Sequence, residues 1–381
     1  VVPAVLQQLS LAAVMREANH LQADASGKPS IGYMEGLDGI RALAVIPVVL
    51  LHLGTSFSNT FRESVQGGFL GVDLFFVLSA FLITLLLTRE QSATGTISFR
   101  KFYARRGLRL LPALFVLLVL HAIYARFAGL DWDLEVSSLL SILFYYSNYK
   151  IATSFEFPGS LVHLWSLAVE EQFYFIWPLF LLLCGSLVRQ PRKLVGILLF
   201  AIACVVLWRA WLYWNRPGEF YYMSLYMRTD TRVDSLLVGA VFALWPFSEE
   251  YQRKWLPWLG LVSLVFIVLC MKYVPSREPL LYWGGFTFDS VAEGFLILAV
   301  ARTRHAWTAP FHSPVLRGIG KRAYGIYIWH VPLFYLTATY TEGLQWYLQA
   351  LIGVAVLALV TVLSWRFIEQ PCLRIKARFS S

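Results

Sequence analysis

The stretch LDGIRALAVIPVVLLHLG, residues 37–54, is apolar enough to lie in a lipid bilayer, yet it carries Asp38, Arg41 and His52. A helix of about 20 mostly apolar residues can cross the roughly 30 Å hydrocarbon core of a membrane. Ionisable side chains at that depth are costly and usually face a bundle interior or a water-filled cavity. The stretch therefore predicts a membrane helix with a polar stripe turned into the protein.

The three ionisable residues lie on one face of this predicted helix. Arg41 and His52 are eleven residues apart, which places them about 20° beyond three full turns and roughly 16 Å apart along the axis. Asp38 precedes Arg41 by three residues and can pair with it. For Asp38 and Arg41, an ion pair that anchors the helix end competes with a catalytic role. For His52, a packed core histidine competes with a general base that works near neutral pH.

The composition is that of a polytopic membrane protein. Of 381 residues, 58% are hydrophobic and 14% charged, against about 25% charged in soluble domains. Apolar runs recur along the chain and predict an all-α bundle of about ten transmembrane helices. The predicted spans are 38–56, 69–88, 111–128, 160–183, 194–212, 231–247, 256–272, 285–301, 323–340 and 346–367. Cysteine spacing predicts neither a disulfide framework nor a zinc site, and we expect no metal.

The distribution of basic residues predicts the orientation. With the N-terminus inside, nineteen Lys and Arg residues fall on the inner side and six on the outer side, as the positive-inside rule requires. We expect a plasma (inner) membrane protein with both termini in the cytoplasm: a cytoplasmic segment at 1–34, a membrane domain at 35–372 and a cytoplasmic tail at 373–381. The basic residues of the inner side then account for the net charge of +9, and we expect no nucleic-acid partner. The acidic, aromatic segment 129–159 is predicted to form an outer hairpin or cap.

A basic cluster, FRKFYARRGLRLLP at residues 99–112, precedes the third span. Arg106 and Arg109 lie one helical turn apart beside Arg105, an arrangement that suits phosphate groups because guanidinium binds them in a bidentate manner. A topology anchor and an anionic-lipid site are the competing interpretations.

Two further segments carry ionisable residues at helix entrances. Glu170 and Glu171 begin an apolar helix beside Tyr174, and adjacent carboxylates point about 100° apart. In MRTDTRVDSLLVGA, residues 227–240, Asp230 and Asp234 are predicted to lie on one helix face, near Arg232. Salt bridging at the helix entrance is the alternative for this second segment.

Seven motifs, taken together, resemble the acyltransferase-3 family of integral membrane acyltransferases. They occur in the family's order over about residues 35–372, and Ala80 departs from the glycine usual there. They are Arg41-x10-His52, GVDLFFVLSAFLIT from Gly71, FYARRGLRLLP from Phe102, WSLAVEEQFY from Trp165, RTDTRVDSLLVG from Arg228, YGIYIWHVPL from Tyr324 and RFIEQP from Arg366. The chain resembles the stand-alone form, without a hydrolase-like domain after the membrane domain.

The resemblance implies transfer of an acyl group, most often acetyl, from cytoplasmic acyl-coenzyme A to a hydroxyl. It implies a catalytic role for His52, supported by Arg41, Asp38 or Glu171, and donor-phosphate contacts from Arg105, Arg106 and Arg109. For the acceptor we assign candidate contacts, although a core or ring-stacked role competes for His330. These candidates are Glu170, Tyr174, Asp230, Arg232, Asp73 and His330.

The acceptor implied by the resemblance is a carbohydrate, a lipid-linked glycan or a macrolide-type molecule, and membrane lipid surrounds the protein. A transporter or flippase is the rival function class, because it would also use intramembrane Asp, Arg and His. Turnover of acyl-coenzyme A by the purified protein discriminates between the two classes.

Overall fold

The computed structural model describes residues 34–156, 158–188, 190–215 and 221–376, and these residues contain helices but no strand. Residues 1–33 of the predicted N-terminal segment and 377–381 of the predicted tail lie outside the described residues. The principal helices are α1 Glu35–Phe57, α2 Gly71–Thr94, α3 Phe99–Phe127, α4 Trp165–Leu183, α5 Pro191–Asn215, α6 Val233–Leu244, α7 Leu256–Tyr273, α8 Phe286–Arg302, α9 Ala323–Tyr340 and α10 Trp346–Ser364.

Short helices connect or extend the principal ones. The α-helical ones are Asn59–Ser64, Trp132–Leu143, Ser147–Ser154, Gly185–Val188, Tyr221–Met227, Glu249–Lys254, Pro314–Lys321 and Gln370–Lys376. The 3-10 turns are Gly68–Leu70, Gly159–Leu164, Thr229–Thr231 and Ala306–His312, and two π-helical turns are Leu281–Gly285 and Trp365–Glu369. The pair Trp132–Leu143 and Ser147–Ser154 forms a helical hairpin in the segment predicted as a cap.

Eight helices in the described ranges are long and apolar enough to cross a membrane, and each overlaps a predicted span. Helix α3 begins at Phe99, twelve residues before the predicted span 111–128, so the basic cluster 99–112 is part of the helix. The polytopic helical bundle predicted from the sequence is therefore confirmed. The other two predicted spans are also helices, but α6 has 12 residues and is only about 18 Å long. The 18 residues of α9 include four tyrosines, a tryptophan and a histidine, which make it less apolar than the eight.

Helix α1 packs against α2, α9 and the short helix Pro314–Lys321. Glu35 and Asp38 occupy its first turn, where negative charge complements the helix dipole. Gly320 of the short helix lies directly against the carbonyl oxygen of Asp38, leaving no room for a side chain. This close approach brings Lys321 and the start of α9 beside the start of α1.

Candidate active site

The polar stripe on α1 begins with an ion pair between Asp38 and Arg41, which confirms the predicted i, i+3 contact. The Asp38 side chain is buried, whereas the Arg41 guanidinium is partly exposed. The pair lines a cavity of about 280 Å³. Ligand pockets usually have volumes of about 300–1,000 Å³, and this cavity is slightly smaller. It therefore has room for one part of a large ligand.

Cationic and aromatic side chains from several helices surround this cavity, which we call the basic cavity. Three of its lining residues are cations and two are carboxylic acids; Arg105 and Arg106 do not line it. The lining residues are Asp38, Arg41, Arg109, Lys321, Tyr324, Trp365, Glu369 and Leu373. The arrangement offers a net positive, partly aromatic surface to an anionic ligand.

At the other end of the stripe, His52 meets His330 from α9. The His52 Nδ1 atom lies 2.8 Å from the Val48 carbonyl oxygen and 3.3 Å from His330 Nε2. The two rings meet edge to face, with centroids 4.9 Å apart. The bundle thus brings together two histidines that are 278 residues apart in the chain.

Backbone carbonyls define the tautomers of both neutral rings. A carbonyl oxygen only accepts hydrogen bonds, so His330 Nδ1, which lies 2.5 Å from the Tyr327 oxygen, must donate. His330 Nε2 then carries a lone pair and accepts from His52 Nδ1–H, which also donates to Val48. The remaining ring atom of His52, Nε2, is left as the atom that can accept a proton.

A third histidine, His163, was not assigned a role from the sequence. Its ring lies 5.0 Å from that of His330 between centroids, and its Nε2 donates to the Ile328 oxygen at 3.2 Å. The Tyr327 hydroxyl donates to the His163 carbonyl oxygen at 2.8 Å and contacts Ser166 Oγ at 2.6 Å. A sequence signal was present, because His163 lies two residues before the WSLAVEEQFY motif, but only the tertiary contact shows that it lies beside His330.

The two adjacent glutamates surround one arginine. Arg106 donates to Glu171 at 3.0 Å and its guanidinium carbon lies 3.5 Å from the centroid of the Tyr174 ring. The Tyr174 hydroxyl in turn donates to Glu170 at 3.1 Å. Arg106 is therefore directed at α4, while Arg109, one turn further along α3, faces the basic cavity.

The helical hairpin contacts α4 next to this group. Gln172 donates to the carbonyl oxygen of Tyr145 at 2.7 Å and to Asn148 Oδ1 at 3.0 Å. Tyr145 has a φ of 55°, which is unusual for a bulky residue. Burial, followed by the nearby Glu171 carboxylate, raises the pKa of the Tyr145 hydroxyl.

Asp230 lies in a separate polar group beside exposed aromatic residues. It accepts from Arg228 at 2.9 and 2.6 Å, from Trp208 Nε1 at 2.9 Å and from the Tyr149 hydroxyl at 3.3 Å. Trp208 stacks on Trp211 with centroids 5.2 Å apart. The placement of Asp230 and Asp234 on one helix face is wrong, because Asp230 lies in a 3-10 turn and α6 begins only at Val233.

Two fully buried ion pairs hold α2, α5 and α6 together. Arg232 pairs with Asp73, which also accepts from Ser235 at 2.9 Å. Arg209 pairs with Asp234 at 2.9 Å. All four charged side chains are 0% exposed, so none presents surface to a ligand in this conformation. Arg209 was not singled out from the sequence, because it lies within a mostly apolar helix, α5.

Helix α8 adds two buried carboxylic acids, Asp289 and Glu293, to the neighbourhood of the Asp73–Arg232 pair. Among the residues that the structure describes, no group of His, Cys, Asp and Glu has an arrangement that would hold a metal ion.

The family model described as "Acyltransferase domain" (Acyl_transf_3) matches residues 34–368, which include the histidines and six of the eight residues that line the basic cavity. The chain belongs to the acyltransferase-3 family. The resemblance inferred from the seven motifs is thereby confirmed, and the protein is an acyltransferase-family membrane protein that crosses the bilayer several times.

Three curated relatives are similar over most of this chain. It is 35% identical over 359 residues to the peptidoglycan O-acetyltransferase OatA of Listeria monocytogenes, 34% over 358 residues to the putative peptidoglycan O-acetyltransferase YrhL of Bacillus subtilis, and 33% over 355 residues to a putative O-acetyltransferase of Staphylococcus aureus. Each match covers 89% of this chain and 56%, 55% and 57% of the respective relative. The chain thus spans about half the length of these relatives. No solved structure matches it.

Proposed function

We propose that this protein transfers an acyl group, acetyl in the first instance, from acyl-coenzyme A to a hydroxyl group of a carbohydrate acceptor. The observation that carries the proposal is the His52–His330 pair, which leaves His52 Nε2 as the atom that accepts a proton. His52 lies on α1, and the same helix contributes Asp38 and Arg41 to the basic cavity. The names of the relatives support O-acetylation, and two of them name peptidoglycan as the substrate. A lipid-linked glycan and a macrolide-type glycoside are the other acceptor classes.

The basic cavity is proposed as the donor site. Coenzyme A carries several phosphate groups, and Arg109, Arg41 and Lys321 lie around one space that would receive them. Tyr324 and Trp365 provide aromatic surface in the same cavity. We assign to Arg106 the role of holding Glu171, rather than that of contacting phosphate directly.

Helix geometry connects the donor site to the histidines. Along α1, Arg41 and His52 are separated by roughly 16 Å, and along α9, Tyr324 and His330 are separated by roughly 9 Å. The pantetheine arm of coenzyme A spans a distance of this order, so the thioester can reach His52 while the phosphates remain in the basic cavity.

In the proposed reaction, His52 Nε2 takes the proton of the acceptor hydroxyl as its oxygen attacks the thioester carbonyl. A carbon–oxygen bond forms, the carbon–sulfur bond breaks, and the proton passes from His52 to the departing thiolate. His330 acts as a positioning residue, since it accepts from His52 Nδ1–H. Asp38 is paired with Arg41 at the opposite end of the stripe from His52, so we assign this pair to the binding site of the acyl donor.

On the acceptor side, the candidates fall into two groups. Glu170 and Tyr174 are hydrogen-bonded to each other beside Arg106, and Asp230 lies next to exposed aromatic side chains. These are proposed to contact the acceptor. Because Asp73 and Arg232 are fully buried and paired, we propose a structural role for them.

The decisive experiment measures release of free coenzyme A by the purified protein in detergent, with acetyl-coenzyme A as donor and a short peptidoglycan-type or other glycan as acceptor. We expect acceptor-dependent thiol release and a matching mass increase of the glycan. Movement of a glycan across proteoliposome membranes without thioester cleavage would instead establish the transporter alternative.

Replacement of Arg109 by Gln is expected to weaken donor binding. Loss of a charge-assisted phosphate contact costs about 1.5–3 kcal/mol, which is roughly ten- to a hundredfold in Kd. Titration calorimetry with coenzyme A measures the effect. Lys254→Gln, which removes an exposed charge outside the cavity, is the matched control and should bind normally; equal weakening in both variants would contradict the assignment.

The proposed orientation places both termini in the cytoplasm of a plasma-membrane protein. In a background without the four native cysteines, Thr96→Cys and Ser154→Cys each introduce a thiol at an exposed position. Because the connection after α2 is predicted to be inside and the hairpin outside, we expect a membrane-impermeant maleimide to label only Ser154→Cys in intact cells. Labelling of both positions after permeabilisation is the control, and labelling of Thr96→Cys in intact cells would reverse the topology.

A further inference from the structure

The π-helical turn Trp365–Glu369 continues α10 and holds the first four residues of the RFIEQP motif. Its defining hydrogen bond runs from the Gln370 N–H to the carbonyl oxygen of Trp365, five residues back. Such π-helical turns are rare and occur frequently at functional sites. The first and last residues of this turn, Trp365 and Glu369, both line the basic cavity, so the turn presents an aromatic ring and a carboxylate to the same space.

Glu369 has the wrong charge for direct contact with phosphate. It is 5% exposed, and among the residues that the structure describes it accepts from the Ser364 hydroxyl at 3.1 Å and forms no ion pair. The other carboxylic acid of the cavity, Asp38, is already paired with Arg41. Because like charges repel, a carboxylate in a site for a polyanion indicates that the ligand also carries a hydrogen-bond donor.

The position of the Glu369 carboxylate is fixed by its neighbours. Ser364, the last residue of α10, donates to the Oε1 atom. Gly325, near the start of α9, lies so close that a Cβ atom at this position would be 2.7 Å from the same oxygen. Any other residue there would therefore displace the carboxylate. The contacts with α9 and α10 thus keep Glu369 in the wall of the cavity, where its side chain can accept from a ligand.

Two aromatic residues share the cavity with Glu369. The Tyr324 hydroxyl donates to the Leu110 carbonyl oxygen at 2.7 Å, which holds Tyr324 against α3. The Arg322 guanidinium carbon lies 5.5 Å from the centroid of the Trp365 ring. Nucleotide bases stack on aromatic rings and gain cation–π contributions from arginine. The cavity therefore combines cations, aromatic residues and a carboxylate, a combination that suits a nucleotide whose base carries an amino group.

We propose that Glu369 and Trp365 recognise the adenine base of the acyl donor, Glu369 by accepting from the exocyclic amino group and Trp365 by stacking on the ring. Adenine carries that amino group as a donor, whereas pantetheine has no aromatic ring and would leave the aromatic residues without a role. The inference rests on the proposed transfer from acyl-coenzyme A, and it assigns base specificity to these two residues. The phosphates then lie near Arg109, and the pantetheine arm leaves the cavity towards His52.

The test measures Kd by calorimetry on the purified full chain in detergent, for coenzyme A and for its analogue with hypoxanthine in place of adenine. Hypoxanthine has a carbonyl oxygen where adenine has the amino group, so we expect the wild-type protein to bind coenzyme A about tenfold more tightly. Glu369→Gln should lose most of this difference, because an amide both donates and accepts. Trp365→Leu should weaken both ligands about five- to a hundredfold. Phe367→Leu, which replaces an exposed aromatic residue of the same turn outside the basic cavity, is the matched control and should bind both normally.

Phosphopantetheine, which lacks the nucleotide, provides a second readout. We expect the wild-type protein, Glu369→Gln and Trp365→Leu to bind it equally, and a loss in Glu369→Gln would place the carboxylate beside the pantetheine arm and overturn the inference. Equal affinity of the wild-type protein for coenzyme A and the hypoxanthine analogue would also overturn it, and this comparison needs no variant. Acetyl-coenzyme A that binds with the expected base preference but is never cleaved in the presence of a glycan would instead refute the proposed function and leave the base site established.

Discussion

Replacement of His52 by Gln is expected to lower the rate of acyl transfer by about 10²–10⁴-fold, the usual contribution of general base catalysis. An amide does not accept a proton at neutral pH, although Gln is close to His in size and polarity. Because the phosphate contacts are assigned to the basic cavity at the other end of the stripe, the variant should still bind coenzyme A. Steady-state transfer assays and calorimetric titration with coenzyme A measure the two effects separately.

Variants of His330 provide the companion experiment. His330→Phe keeps an aromatic ring against His52 but removes the acceptor of the His52 Nδ1–H bond, whereas the amide oxygen of His330→Gln can accept it. We expect Gln to retain more activity than Phe if His330 positions its neighbour. A monodisperse, donor-binding His52→Gln protein with normal turnover would refute the mechanism and leave His52 as a packed residue.

Features that depend on local spacing were predictable from the sequence. The Asp38–Arg41 pair formed as expected because residues three apart on a helix are neighbours. The ten apolar runs all became helices because a chain in lipid must satisfy its backbone hydrogen bonds within each segment. Helical periodicity did not predict the relative positions of Asp230 and Asp234. Arg232, which lies between them, has a φ of −130° and interrupts the helix before α6.

Contacts between distant segments could not be predicted in the same way. Arg106 and Arg109 looked like one phosphate-binding fork, but Arg106 is directed at Glu171, 65 residues away, and only Arg109 faces the basic cavity. Likewise, the contact of His330 with His52 and His163 depends on how α1, α4 and α9 pack. Periodicity specifies the face of a helix, but it does not specify which helix that face meets.

The buried Arg209–Asp234 pair should be sensitive to the loss of either partner, because both side chains are fully buried. Arg209 donates to both oxygens of Asp234 at 3.0 and 2.9 Å, to the Thr231 oxygen at 2.6 Å and to Thr287 Oγ1 at 3.1 Å. Removal of one partner leaves a charge buried without its counter-ion, which costs about 3–5 kcal/mol. We therefore expect Asp234→Leu or Arg209→Leu to lower the free energy of unfolding by about that amount.

The double variant Arg209→Leu with Asp234→Leu separates charge burial from loss of packing. Because apolar replacement of a whole buried pair is often neutral or stabilising, we expect it to recover much of the stability that either single variant loses. Arg317→Gln removes a partly exposed partner of Glu35 and should cost at most about 1 kcal/mol. Denaturation followed in detergent measures all four proteins. Single variants as stable as Arg317→Gln would mean that water reaches this pair, and that the junction of α5 and α6 is a hydrated part of the bundle rather than its fixed core.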